Sequence, residues 1–256
     1  GSNSRTVRVQ DALTTYHHVS GTLSLGINKL YVSNTGFDYD NGSIEMTSGW
    51  VEVTDGNNGS FQTFDTNDKI LSLRNFRISG GQDPNDGFQL TADDQLEITN
   101  NFELMGQTLD LSNNNADLIM ASGTNIVRNV GQLNDEGSTT PSIANNVNVE
   151  YTSGVTTDIE LPAEVNDLTI SASTVDLSTD LVVNGTFDLD ASIDLGDTNN
   201  NSLTIADNGR VELGGGAIAE NGGSYTYGGH AWLVYDVGST VAVGAANEEW
   251  DQGDTN

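Results

Sequence analysis

The chain repeats itself, and this constrains its fold more than any single motif does. Residues 94–104, DQLEITNNFEL, overlay residues 179–189, TDLVVNGTFDL, with Leu96 on Leu181 and Leu104 on Leu189 at the same offset. The match continues as NNNADLIMASGTNIV (113–127) answers NNNSLTIADNGRVEL (199–213) and VEYTSG (149–154) answers LVYDVG (233–238). One step earlier, LRNFRIS (73–79) answers VNDLTIS (165–171). A more diverged copy opens the chain, where SGTLSLGINKLYVSNTG (20–36) is similar to GQTLDLSNNNADLIMASG (106–123). The boundaries this gives are a diverged partial module over 1–72 and two further modules over 73–164 and 165–256.

Inside each module the apolar residues have period 2. Leu168-Thr169-Ile170, Leu181-Val182-Val183, Phe187-Asp188-Leu189, Leu203-Thr204-Ile205 and Val211-Glu212-Leu213 are short alternating runs separated by Asn, Gly, Asp and Ser. Such runs read as strands with one face buried, and the separators are residues that turn the chain. No stretch of helical period reaches helical length. Strands this short cannot line the wide core of a sandwich, but they suit a solenoid whose narrow interior is filled by inward Leu, Ile, Val and Phe. The expected fold is all-β, a right-handed parallel β-helix (β-solenoid) running over the whole chain. The alternative is a row of tandem Ig-like β-sandwiches, because a module of about 90 residues is close to such a domain in size. Against it, Trp50, Trp232 and Trp250 do not superpose between modules.

Charge excludes several functions. The chain carries 8 Lys+Arg against 37 Asp+Glu, a formal charge of −29, so it has no basic stripe to track phosphates and no attraction to an anionic membrane. The absence of Cys removes disulfides, thiol catalysis and thiolate zinc sites. No apolar run is long enough to span a bilayer.

Over residues 161–213, LPAEVNDLTISASTVDLSTDLVVNGTFDLDASIDLGDTNNNSLTIADNGRVEL, the sequence resembles the parallel β-helix modules of large secreted bacterial surface and adhesin-like proteins. The resemblance implies a stalk, spacer or adhesive arm that is extracellular and not an enzyme. It is specific for architecture and weak for activity. The end of the chain falls at the module phase from which its beginning would continue, so head-to-tail association is expected, with itself or with further modules of a longer chain. Arg8, Leu13, Trp250 and Asp251 would lie at the joints.

Candidate sites are acidic. Asp38, Asp40 and Glu45, around FDYDNG, place oxygen donors at alternating positions as calcium loops do, though not in the EF-hand pattern, and Ca2+ is the only cofactor this reading names. Asp83, Asn85 and Asp86, and Asp188, Asp190 and Asp194, form two more groups that outward strand positions and turns also explain. The Asn runs 113–115 and 199–201 read as turns or as a ladder between coils. His17, His18 and His230 have no partner at a recognisable spacing and are expected to face solvent. An enzymatic reading, glycan cleavage, rests only on Asp93-Asp94 as an exposed pair with Arg74 and Arg77 one coil earlier. Tyr225, Tyr227, Trp232 and Tyr235 either form an aromatic platform for surface glycans or plug the interior, with the second favoured.

Overall fold

The computed structural model describes residues 5–10, 15–55, 59–81, 86–113, 115–135, 140–196 and 200–235. The chain divides into two compact units, 1–144 and 145–256. The described residues are strands, turns and bends with no helix, and every strand pairing described in either unit is parallel. Each unit is a β-solenoid. Parallel pairing of short, consecutive strands excludes the tandem Ig-like alternative, whose sheets are antiparallel.

In the first unit one face stacks Thr6–Gln10, Lys29–Ser33, Trp50–Thr54, Ile70–Ser79, Gln95–Leu104 and Asn125–Arg128 in that hydrogen-bonded order. A second face stacks Tyr16–His18, Phe37–Tyr39, Phe61–Asp65, Gly87–Leu90, Thr108–Asp110 and Gln132–Asn134. A third pairs Thr22–Gly26 with Ser43–Met46. The second unit has the same plan. Its main face is Asn148–Tyr151, Leu168–Ile170, Thr186–Leu189, Arg210–Leu213 and Trp232–Tyr235, and its other faces run Glu164–Val165 to Ser224–Tyr227 and Val175–Asp176 to Ile218–Ala219.

Register partners mark the length of a rung. Leu30 faces Val51, Phe76 faces Phe102, and Leu168 faces Phe187. The sequence repeat, which carries Leu96 onto Leu181, is therefore several rungs' worth of chain rather than one.

The alternation in sequence becomes alternation in space. Along Lys29–Ser33 the inward Leu30 and Val32 are fully buried, and along Thr186–Leu189 so are Phe187 and Leu189, with Asp188 turned out. Stacking makes each inward position a column. Phe37 and Phe64 stack with ring centroids 4.5 Å apart, Phe64 meets the edge of Phe76 at 5.6 Å, and Phe76 stacks over Phe102 at 6.2 Å. Corners between faces use left-handed backbone: Asn34, Asn67, Asn115, Asn200, Asn208 and Asn221 all have positive φ. Asn suits this because its short amide tolerates that region and bonds the local main chain.

Of the Asn runs, Asn115 and Asn200 hold left-handed corners as the turn reading has it, while Asn113 Nδ2 (2.7 Å) and the buried Asn201 Nδ2 donate to the Leu90 and Leu177 carbonyls one rung back. A true Asn ladder lies elsewhere, on the main face: Asn75 Oδ1 accepts from Asn100 Nδ2 (2.8 Å) and Asn101 Nδ2 (2.6 Å), and Asn125 Nδ2 donates to Asn101 Oδ1 at 3.0 Å. Two outward cations, Lys29 and Arg77, are held by similar cross-rung pairing. Arg77 lies 4.8 Å above the Trp50 ring, bonds Glu103 through Nε at 2.5 Å, and approaches Glu52, which also receives Lys29 Nζ and, at 2.8 Å, Ser79 Oγ.

Candidate functional site

The residues with the most chemistry lie on the second face of the first unit, where Tyr16–His18 pairs with Phe37–Tyr39 in the register Tyr16↔Phe37, His17↔Asp38, His18↔Tyr39. Phe37 and Tyr39 are buried, and the His18 ring stacks parallel on Tyr39 at 5.6 Å. Alternation then forces His17 and Asp38 to the outer side, together with Asp40, whose N–H continues the ladder to the His18 carbonyl at 2.9 Å. His17 Nε2 lies 2.8 Å from Asp40 Oδ2 and 3.4 Å from Asp38 Oδ2. One ligand atom from each of His17, Asp38 and Asp40 fits within 4.8 Å of the others.

The next rung adds to this constellation. Asp65 is the register partner of Asp38. Asn67, at left-handed φ 54°, donates from Nδ2 to Asp40 Oδ1 at 2.5 Å and to Asp38 Oδ1 at 3.4 Å, and Lys69 Nζ donates to the Asp40 carbonyl. Partial burial raises the Asp38 carboxyl above the usual aspartate range; His17 opposes that, while Asp65, Asp40 and Asp94 add to it. Beside the cluster is an open trough of about 340 Å³ walled by Thr15, Gly36, Asp38, Gln62, Thr63 and Asp65.

Of the calcium set read from sequence, Asp38 and Asp40 come together and Glu45 does not. Glu45 is exposed on the third face, opposite Ser24. His17 takes its place beside the two aspartates, so His17 does have carboxylate partners. They stand one rung on along the chain, and the rung length is the signal that finds them. His230 likewise pairs with Asp207, 3.0 Å away on an exposed corner one rung earlier, whereas His18 is buried rather than solvent-facing.

Asp94 is not an exposed partner of Asp93 but fully buried, its carboxylate accepting from Thr66 Oγ1 (3.0 Å), Asp68 N (3.1 Å) and Thr91 N (3.1 Å). Arg74 is exposed on its strand, while Arg77 is held by Trp50 and Glu103. Asp188 and Asp194 lie on different faces, and Asp194 is engaged with Gly196 N and Asn221 Nδ2. Tyr225 turns into the core as the plug reading has it, but Trp232 is 68% exposed. Arg8 is exposed, its guanidinium 5.1 Å above the Tyr31 ring. Leu13, Trp250, Asp251, Asp83 and Asn85 fall outside the described residues.

Compared with known proteins, the chain matches no family model, no curated protein and no solved structure.

Proposed function

We propose that this chain is a non-catalytic structural protein, a β-solenoid stalk or adhesin segment, or a filament subunit, of a bacterial surface or extracellular matrix, extended head to tail by a further copy or by further modules. The observation that carries the proposal is Val7. It stands in the inward column of Leu30, Val51 and Phe76, all fully buried, yet it is 52% exposed. Among the described residues no strand pairs with the far side of Thr6–Gln10, so Val7 stands on an edge that a further strand could extend. Such an edge is a template for a parallel strand. The acidic outer faces support the same reading, because their mutual repulsion discourages side-by-side association and leaves the edge as the adhesive surface.

The test is light scattering with negative-stain electron microscopy over a range of concentrations, with and without calcium. End-to-end rods that shorten with Val7→Lys support the proposal, and monomers at every concentration refute it. A glycan-binding role is the second reading, favoured by the polar trough at Gln62, Thr63 and Asp65. Binding on a glycan array that Gln62→Ala abolishes would select it.

A further inference from the structure

We propose that His17, Asp38 and Asp40 form a binding site for a divalent transition-metal ion of the zinc class, with its remaining coordination positions open to water. This stands apart from the reading of the chain as a stalk or filament and does not depend on it.

The donor set argues for the ion class. Calcium takes six to eight oxygens, whereas one imidazole nitrogen with two carboxylates is a set that suits Zn2+ and its neighbours. With metal–ligand bonds of about 2.1 Å, donors around a tetrahedral ion stand about 3.4 Å apart. The His17 Nε2 to Asp38 Oδ2 separation is 3.4 Å and the His17 Nε2 to Asp40 Oδ2 separation 2.8 Å, so a small adjustment of exposed side chains accommodates the ion.

Pre-organisation comes from the solenoid. His17 and Asp38 sit on adjacent rungs in fixed register, and Tyr16, Phe37, His18 and Tyr39 pack on the inner side of the same strands. The ligands therefore converge through stacked backbone rather than through a local loop. Their side chains are 44%, 29% and 35% exposed, which leaves an entry path.

Asp65 is the register partner of Asp38 and lines the same trough, and Asp40 lies beside Asp38, so three carboxylates crowd one patch of the outer face. The nearby ammonium of Lys69 is directed at the Asp40 carbonyl and not at the carboxylates. A divalent ion would neutralise this crowding. The adjoining trough, with Thr15 and Asp65 on its wall, has room for the water molecules or hydroxyl groups that complete the ion's shell.

The experiment uses the full chain, stripped with EDTA and held in about 150 mM salt so that the acidic surface does not dominate. Zn2+, Co2+ and Ca2+ are titrated by calorimetry, and Co2+ also by its visible d–d absorption. The expected result is one saturable site per chain for Zn2+, at least about tenfold tighter than any Ca2+ site. Co2+ should give a visible band that His17→Gln and Asp40→Asn each abolish while far-UV circular dichroism is unchanged. Equal Zn2+ binding by wild type and His17→Gln would overturn the proposal. So would a site that prefers Ca2+, or weak non-saturating uptake by all three proteins.

Discussion

Gln107 carries a hydrogen-bonded bridge that skips a rung. Its side-chain amide pairs with the backbone of Asp55, accepting from the Asp55 N–H at Oε1 and donating from Nε2 to the Asp55 carbonyl, both at 2.8 Å. Between them in the stack lies Gly80, at φ +139°. A Cβ there would stand 2.5 Å from Gln107 Cδ, 2.6 Å from Oε1 and 2.7 Å from Thr54 Oγ1. Glycine is what lets the amide pass. Gln107→Ala removes two buried hydrogen bonds and should cost about 2–3 kcal/mol. Gly80→Ala displaces the same amide and adds backbone strain of about 1–3 kcal/mol, so it should cost about 3–6 kcal/mol. The two losses share the bridge, so the double variant should cost about 2 kcal/mol less than the sum of the single variants. Urea unfolding followed by both circular dichroism and tryptophan fluorescence measures this, provided the two probes coincide as two-state analysis requires. Additivity within about 0.5 kcal/mol would show that Gly80 does not act through Gln107 and would refute the reasoning.

Phe64 is fully buried between Phe37 and Phe76, so Phe64→Ala should cost about 3–5 kcal/mol and Phe64→Leu clearly less, read as the shift in urea midpoint. Glu52 gives a pH signature. Burial pushes its carboxyl up, but hydrogen bonds from Lys29 and Ser79 and the charges of Lys29 and Arg77 outweigh that and hold it below the usual range. A carboxyl depressed in the folded state stabilises above its unfolded pKa of about 4.3 and loses that contribution as pH falls through the lower folded value. The stability gap between wild type and Glu52→Gln, of order 1 kcal/mol at pH 7, should therefore narrow as pH falls below about 5.

How much of this was legible beforehand depends on the range over which each contact acts. Period-2 runs such as Phe187-Asp188-Leu189 reveal their buried and outward residues directly, because neighbours along a strand point to opposite sides whatever the rest of the chain does. Runs too short for a sandwich, separated by turn residues and recurring from module to module, were enough to reach a parallel solenoid. The outward placement of Asp38 and Asp40 was legible for the same reason. Contacts between rungs were not. The step between register partners is not constant, being shorter from Leu168 to Phe187 than from Phe76 to Phe102. A single residue more or less in a corner turns every following side chain to the other face. The sequence therefore could not set His17 rather than Glu45 beside Asp38, or show that Gln107 reaches Asp55 past Gly80. Nor could it show that Asp94 folds inward onto Thr66 and Thr91 while its neighbour Asp93 stays out. By itself the sequence determined the alternation, the repeat and the acidic exterior, which are properties of single strands and of composition. The tertiary structure alone decided which outward residues meet, because that depends on the register in which one turn of the solenoid is laid upon the next.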